Sequence, residues 1–259
     1  MAVAANALGY ASAADELVRA GLAYAVTIDN KPLMARLRIQ AADIACLHDR
    51  LRQARDLAQG AIHDMPVGPN AARAHLIQGI AAARLGDADA ARGAVTAATG
   101  AREQERREPH DDLLEIGGAF GFSYANQDFY SGAAIVQIPG AEPDAIARLE
   151  VATQSFAAGP GPGEEHSLHC KILAHADLAT ARLRAGRLDA AIVAIEPVMA
   201  LPPAMRTEYV VKRLALVSDE LTQRIYRSSP LARDTGEQIE EYCRDTIVTS
   251  LNVRPGGPA

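Results

Sequence analysis

Apolar and small residues recur along the chain at three- and four-residue intervals, in runs long enough to make several helical turns. In HLIQGIAAARLGDADAARGAVTAATG, Gly79 is followed by Ala82, Ala91, Val95 and Ala98, with Gly86-Asp87 between two such runs. That period belongs to helices that present one face to a core. Proline punctuates the pattern at Pro32, Pro69, Pro143 and Pro230, where a first helical turn accepts a residue without an N–H. Ser229 precedes Pro230 as an N-cap. The spacing predicts helices over 12–28, 33–47, 50–63, 70–85, 87–107, 124–138, 142–157, 164–185, 187–200, 205–226 and 231–248. Glu164 and Glu165, after the GPGPG run at 159–163, are expected to favour the positive end of the helix that follows. Strand-type alternation does not extend beyond FGFSYA at 120–125.

The same ruler fits elsewhere. Residues 35–66 give Ala42, Ala45, Ala54, Ala58 and Ala61 and close on Pro66. Residues 72–103 give the run quoted above, and 172–203 give Ala179, Gly186, Ala191, Ile195 and Val198, closing on Pro203. A degenerate copy over 124–157 carries Ala133, Gly140, Ala145, Leu149 and Ala152, and the N-terminus shows a second helix only, with Ala20, Tyr24, Thr27 and Pro32. Small side chains at these offsets let two helices approach closely where they cross, which is the tetratricopeptide pattern. The expected fold is all-α, a tetratricopeptide-repeat superhelix of antiparallel helix pairs over 1–250. Capping helices are expected at 205–248 and a flexible tail at 251–259. Uneven intervals between copies imply insertions near 100–122 and 157–167.

Composition sharpens this picture. The 259 residues include 53 Ala but only 4% aromatics and no Trp, a bias toward helix and against sheet. No apolar run approaches the roughly 20 residues of a membrane-spanning helix, and the N-terminus lacks a basic leader region, so a cytoplasmic location is expected. Cys46, Cys170 and Cys243 are odd in number and far apart, as reduced thiols would be. The formal net charge of −6 disfavours phosphate contacts.

Sites of chemistry are few. His166, His169, Cys170 and His175 cluster in sequence, but on one predicted helix; they read as a polar helix start followed by core-facing residues, and no metal is expected. Ser167 beside His166 is adjacency without a triad, GGAFG at 117–121 lacks phosphate-loop spacing, and GDAD at 86–89 reads as an interhelix turn. The mixed-sign run at 102–112 reads as a solvated helix face. Neither catalysis nor a cofactor is expected.

First helices of such repeats line a concave groove. The ruler places Arg36, Asp43, Arg73, Arg84, Tyr130 and Arg184 there, from four helices, beside Ile39, Cys46, Leu76, Ile80, Gln127, Gln137 and Thr180. Arginine forks suit carboxylates and backbone carbonyls, and tyrosine adds aromatic area with a polar tip. The six are the candidate site for a protein, peptide or small signal molecule. Arg73→Ala and Arg84→Ala are expected to weaken binding with little effect on stability, and Arg106→Ala serves as a control.

Several segments taken in order carry a resemblance: RAGLAYAVTIDNKPLMARLR (19–38), ARLGDADAARGAVTAA (83–98), DDLLEIGGAFGFSYANQDFYSGAA (111–134), LATARLRAGRLDAAIVAIEPVMALPP (178–203) and SSPLARDTGEQIEE (228–241). Together they resemble the C-terminal tetratricopeptide half of actinobacterial XRE-family transcriptional regulators, over nearly the whole chain. In that family a helix-turn-helix domain precedes the repeats and reads DNA. Here residues 1–40 hold four basic residues, Arg19, Lys31, Arg36 and Arg38, without a recognition helix, so direct DNA binding is not expected. The resemblance implies a non-catalytic interaction or effector-sensing module. Two alternatives stand beside it: a complete DNA-binding regulator whose N-terminal helix-turn-helix is missing from this chain, and a scaffold that dimerises.

Overall fold

A computed structural model describes residues 1–104, 121–161, 164 and 166–246. Among them the chain is all-helical, without strands. Twelve α-helices follow one another: α1 (Ala2–Ala7), α2 (Ala11–Thr27), α3 (Lys31–Leu47), α4 (Leu51–Asp64), α5 (Gly68–Arg84), α6 (Ala88–Gln104), α7 (Tyr124–Ile135), α8 (Glu142–Ala158), α9 (Leu168–Arg184), α10 (Leu188–Met199), α11 (Glu208–Leu221) and α12 (Pro230–Arg244). A 3-10 turn at Pro203–Met205 precedes α11. No helix among the described residues is long and apolar enough to cross a membrane.

Local chemistry sets the boundaries. Asn30, Ser123, Ser167 and Ser229 accept the N–H groups of Leu33, Asn126, Cys170 and Ala232, satisfying donors that the first turn leaves unpaired. Prolines 32, 69, 143 and 230 sit in first turns. Between α5 and α6, and between α9 and α10, Gly86 and Gly186 take φ of 86° and 75°. The turns after α2 and α3 use Asp29 and Asp49 in that left-handed region instead, an aspartate being among the side chains that tolerate it. Asp87 in the GDAD turn accepts the Ala90 N–H at 3.0 Å.

Several boundaries differ from the sequence reading. The helix expected from 164 begins at Leu168, because Ser167 caps it. Glu164 serves another helix: its carboxylate accepts the Tyr124 N–H at 3.0 Å and lies 3.7 Å from Arg102, holding the start of α7. The helix expected over 205–226 narrows to α11 behind the Pro203 turn. α1 was not expected at all, since AVAANA has no large apolar residue beyond Val3 to mark a face. Arg106, Glu165, most of GGAFG and the 251–259 tail lie outside the described residues.

The helices pack in adjacent pairs, α3 with α4, α5 with α6, α7 with α8, α9 with α10 and α11 with α12. The first members also touch in series, α3–α5–α7–α9–α11, and α1 touches both α3 and α11. These six therefore form a closed circuit, with the second helices outside it. Small residues permit the approaches: Ala54, Ala58, Ala91, Ala98, Ala145 and Ala191 are buried at crossings. At Gly132 even a methyl group would sit 2.5 Å from Leu149 Cγ, so α7 meets α8 at bare backbone.

Candidate functional site

The inner helices turn polar faces toward one another. On α3, Arg36, Gln40 and Asp43 fall at i, i+4 and i+7, a single stripe. α5 contributes Arg73, α7 contributes Asn126, Gln127 and Tyr130, α9 contributes His169, Cys170 and Asp177, and α11 contributes Tyr209 and Arg213.

At the centre Arg73 pairs with Asp43 at 2.6 Å, both largely buried. The Tyr130 hydroxyl lies 3.5 Å from each. The Arg73 guanidinium stands 5.9 and 5.7 Å from the Phe122 and Tyr130 ring centres, a cation–π arrangement, and Tyr130 meets Phe122 and Phe129 edge-to-face. A second pair, Arg213 with Asp177 at 2.7 Å, joins α11 to α9, and the Tyr209 ring meets His169 edge-on with centroids 4.8 Å apart.

Burial governs the protonation states. It brings Arg36 down to about 9, helped by the neighbouring Arg73 charge and opposed by Asp43. His169 falls to about 4, first through burial and then through Arg213, so the imidazole is neutral. Burial also raises Tyr130, Tyr209 and the Cys170 thiol, keeping them protonated, and raises Asp177 against the pull of Arg213. Gln40 Oε1, Arg73 Nε, Asn126 Oδ1, Gln127 Oε1 and Asp177 Oδ2 are buried without a hydrogen-bond partner among the described residues. Each such atom costs about 1–3 kcal/mol unless something supplies the missing bond.

Four of the six sequence-predicted residues, Arg36, Asp43, Arg73 and Tyr130, come together here. The other two act as ties. Arg84 donates to the Cys46 carbonyl at 2.7 Å and pairs with Asp49, fastening α5 to the α3–α4 turn. Arg184 pairs with Glu220 at 2.7 Å and donates to the Val136 carbonyl, joining α9 to α11 and to the end of α7. The arginines of the candidate groove are thus also structural, and the expectation of unchanged stability on their removal does not fit these bonds. Ile39 and Leu76 are core residues, fully buried.

Sequence reasoning missed Gln40, Asn126, Asp177, Tyr209 and Arg213. The i, i+4 spacing of Tyr209 and Arg213 was a usable signal, but α11 was read as a cap; it is an inner helix. The histidines scatter rather than converge: His166 packs edge-on to Phe156, and His169 goes to Tyr209. Among the described residues no group of three or more His, Cys, Asp or Glu is placed to hold a metal ion.

An open depression of about 780 Å³ lies at α4, lined by Arg38, Gln53, Asp56, Leu57, Gly60 and His63. Its one arginine is already engaged, by Asp64 and the Gly60 carbonyl. The inner cluster is the stronger candidate, because five helices build it and it holds the five unmet polar atoms named above. No family model matches the chain, and neither a curated protein nor a solved structure matches it.

Proposed function

We propose that the chain is a non-catalytic, effector-sensing or peptide-binding module, whose ligand occupies the polar interior of the helix circuit. The observation that carries this reading is the gathering of buried polar atoms with unmet hydrogen bonds on the inner helices, from α3, α5 and α7 beside the Arg73–Asp43 pair and from Asp177 of α9 beside Arg213. Acceptors outnumber donors among those atoms, so the fitting ligand offers N–H or O–H groups and an acceptor for Arg73 Nε. A short peptide or a small polar signal molecule does both. The repeating helix pairs and the small residues at their crossings support the tetratricopeptide-superhelix reading. The resemblance to the regulatory half of XRE-type regulators supports a sensory role.

Thermal denaturation against a panel of short peptides and small polar metabolites tests the proposal. A fitting compound raises the midpoint as its concentration exceeds its dissociation constant, the added stability reaching about 2.7 kcal/mol at a hundredfold excess. No direct contact with duplex DNA is expected of this chain, given its net charge of −6; a gel shift at physiological salt checks that.

A dimerising scaffold is the second reading, favoured by the outer face of α2. Leu17, Tyr24 and, just past the helix end, Ile28 lie exposed on one stripe of it, Tyr24 by 64%. Sedimentation of wild type and Tyr24→Glu decides: a dimer that the substitution dissolves supports it, and a monomeric wild type removes it.

A further inference from the structure

We propose that α1 is a latch: it closes the circuit of inner helices by bridging α3 and α11, and its release opens the way to the polar interior. The functional consequence rests on the reading of that interior as a ligand site; the latch itself rests on geometry alone.

Asn6 is the hub. It belongs to a six-residue helix at the start of the chain, yet it is completely buried. Its Nδ2 donates to the Tyr209 hydroxyl at 2.5 Å, and its Oδ1 lies 2.9 Å from His48 Nε2. With Oδ1 as the acceptor, the His48 ring donates through Nε2. One side chain of α1 therefore spans from the end of α3 to α11, residues 42 and 203 positions away in sequence. Alongside, Lys212 Nζ donates to the Leu47 carbonyl at 2.7 Å, at the negative end of α3. The Tyr209 ring that receives Asn6 also meets His169, so the latch is one residue removed from the interior cluster.

The joint differs from every other in the circuit. Elsewhere inner helices meet through one continuous apolar core of Ile, Leu and Ala side chains. Behind α1 there is only a small separate cluster: Ala14, Val18 and Ile44, with Ala2, Ala5, Leu37 and Ala41 against it. Little apolar area holds α1 in place, so specific hydrogen bonds carry the closure. Segments held in this way open at free energies well below that of global unfolding. Other joints carry ion pairs as well, but only this one lacks the main apolar core behind it, so the circuit opens there.

The cysteines report on this without any ligand. Cys46 is buried on α3 in the field of Arg213 from α11, and Cys170 is buried in the interior cluster. Cys243 is half-buried on α12, outside the circuit. Iodoacetamide labelling of the full chain, resolved by site with mass spectrometry, is compared between wild type, Asn6→Ala and Tyr209→Phe. The latch requires Cys46 and Cys170 to label about five- to tenfold faster in both variants, with Cys243 unchanged within twofold. Unchanged rates at Cys46 and Cys170 overturn it. So does a parallel rise at all three sites, which signals general unfolding. Should Asn6→Ala not fold, Tyr209→Phe decides alone, since it keeps the ring against His169 and removes only the hydroxyl. Because no ligand enters the experiment, its failure leaves the binding proposal standing, and a failed ligand panel leaves the latch standing.

Discussion

Gly132 and Gly186 show two different reasons for a missing side chain. At Gly186 a Cβ would meet nothing within 4 Å, and the φ of 75° alone is what favours glycine. Gly186→Ala is expected to cost about 1 kcal/mol in urea denaturation through backbone strain. At Gly132 a Cβ would press on Leu149, and Gly132→Ala is expected to cost about 1–3 kcal/mol through overpacking. Shortening Leu149 should recover part of the second loss and none of the first. Gly186 was legible in the sequence from its place in a repeat. Gly132 was not, because it sits in the least regular copy. Among the site residues, the repeat ruler assigned Arg73 to the groove face of its helix, but its pairing with Asp43 was not foreseen, since spacing assigns a face and says nothing of what faces it. Arg73→Ala strands a buried carboxylate and is expected to cost about 3 kcal/mol, read as a lower unfolding midpoint. His169 adds a pH dependence. Its value in the folded chain, about 4, lies below the ordinary 6.5, with Arg213, Asp43 and Arg73 facing it. A depressed histidine gives stability that is complete above its unfolded value and lost as pH falls below it. Between pH 6.5 and 5 wild type should lose about 1–2 kcal/mol that His169→Gln does not lose. Equal slopes in the two proteins would remove this assignment.

At the scale of elements, most helices were readable because alanine-rich stripes repeat at helical spacing and proline marks their starts. Most exceptions share a cause. α1, the place of Glu164 and the role of α11 depend on partners distant in sequence: Tyr209 for Asn6, Tyr124 for Glu164, and the α3 end for Lys212. Periodicity within one segment cannot report them. The crossings themselves are local enough to predict. Ala91 and Ala191 are buried where α6 meets α5 and α10 meets α9. Replacing either with Leu should cost about 1–3 kcal/mol, measured by chemical denaturation, whereas Leu at the exposed Arg92 should change stability little.

On the scale of the whole molecule, the inner helices place polar side chains from five helices inside a closed circuit, and those with unmet hydrogen bonds carry a cost in desolvation. On the proposed reading, a ligand completes those hydrogen bonds. Calorimetric titration of a stabilising compound into three proteins tests this most directly: wild type, Gln127→Ala in the interior, and Asp56→Ala in the depression at α4. The account predicts that Gln127→Ala weakens binding about tenfold, roughly 1.4 kcal/mol, while Asp56→Ala binds as wild type does. Binding that survives Gln127→Ala and fails in Asp56→Ala would contradict it and place the ligand on the outer face of the helix array.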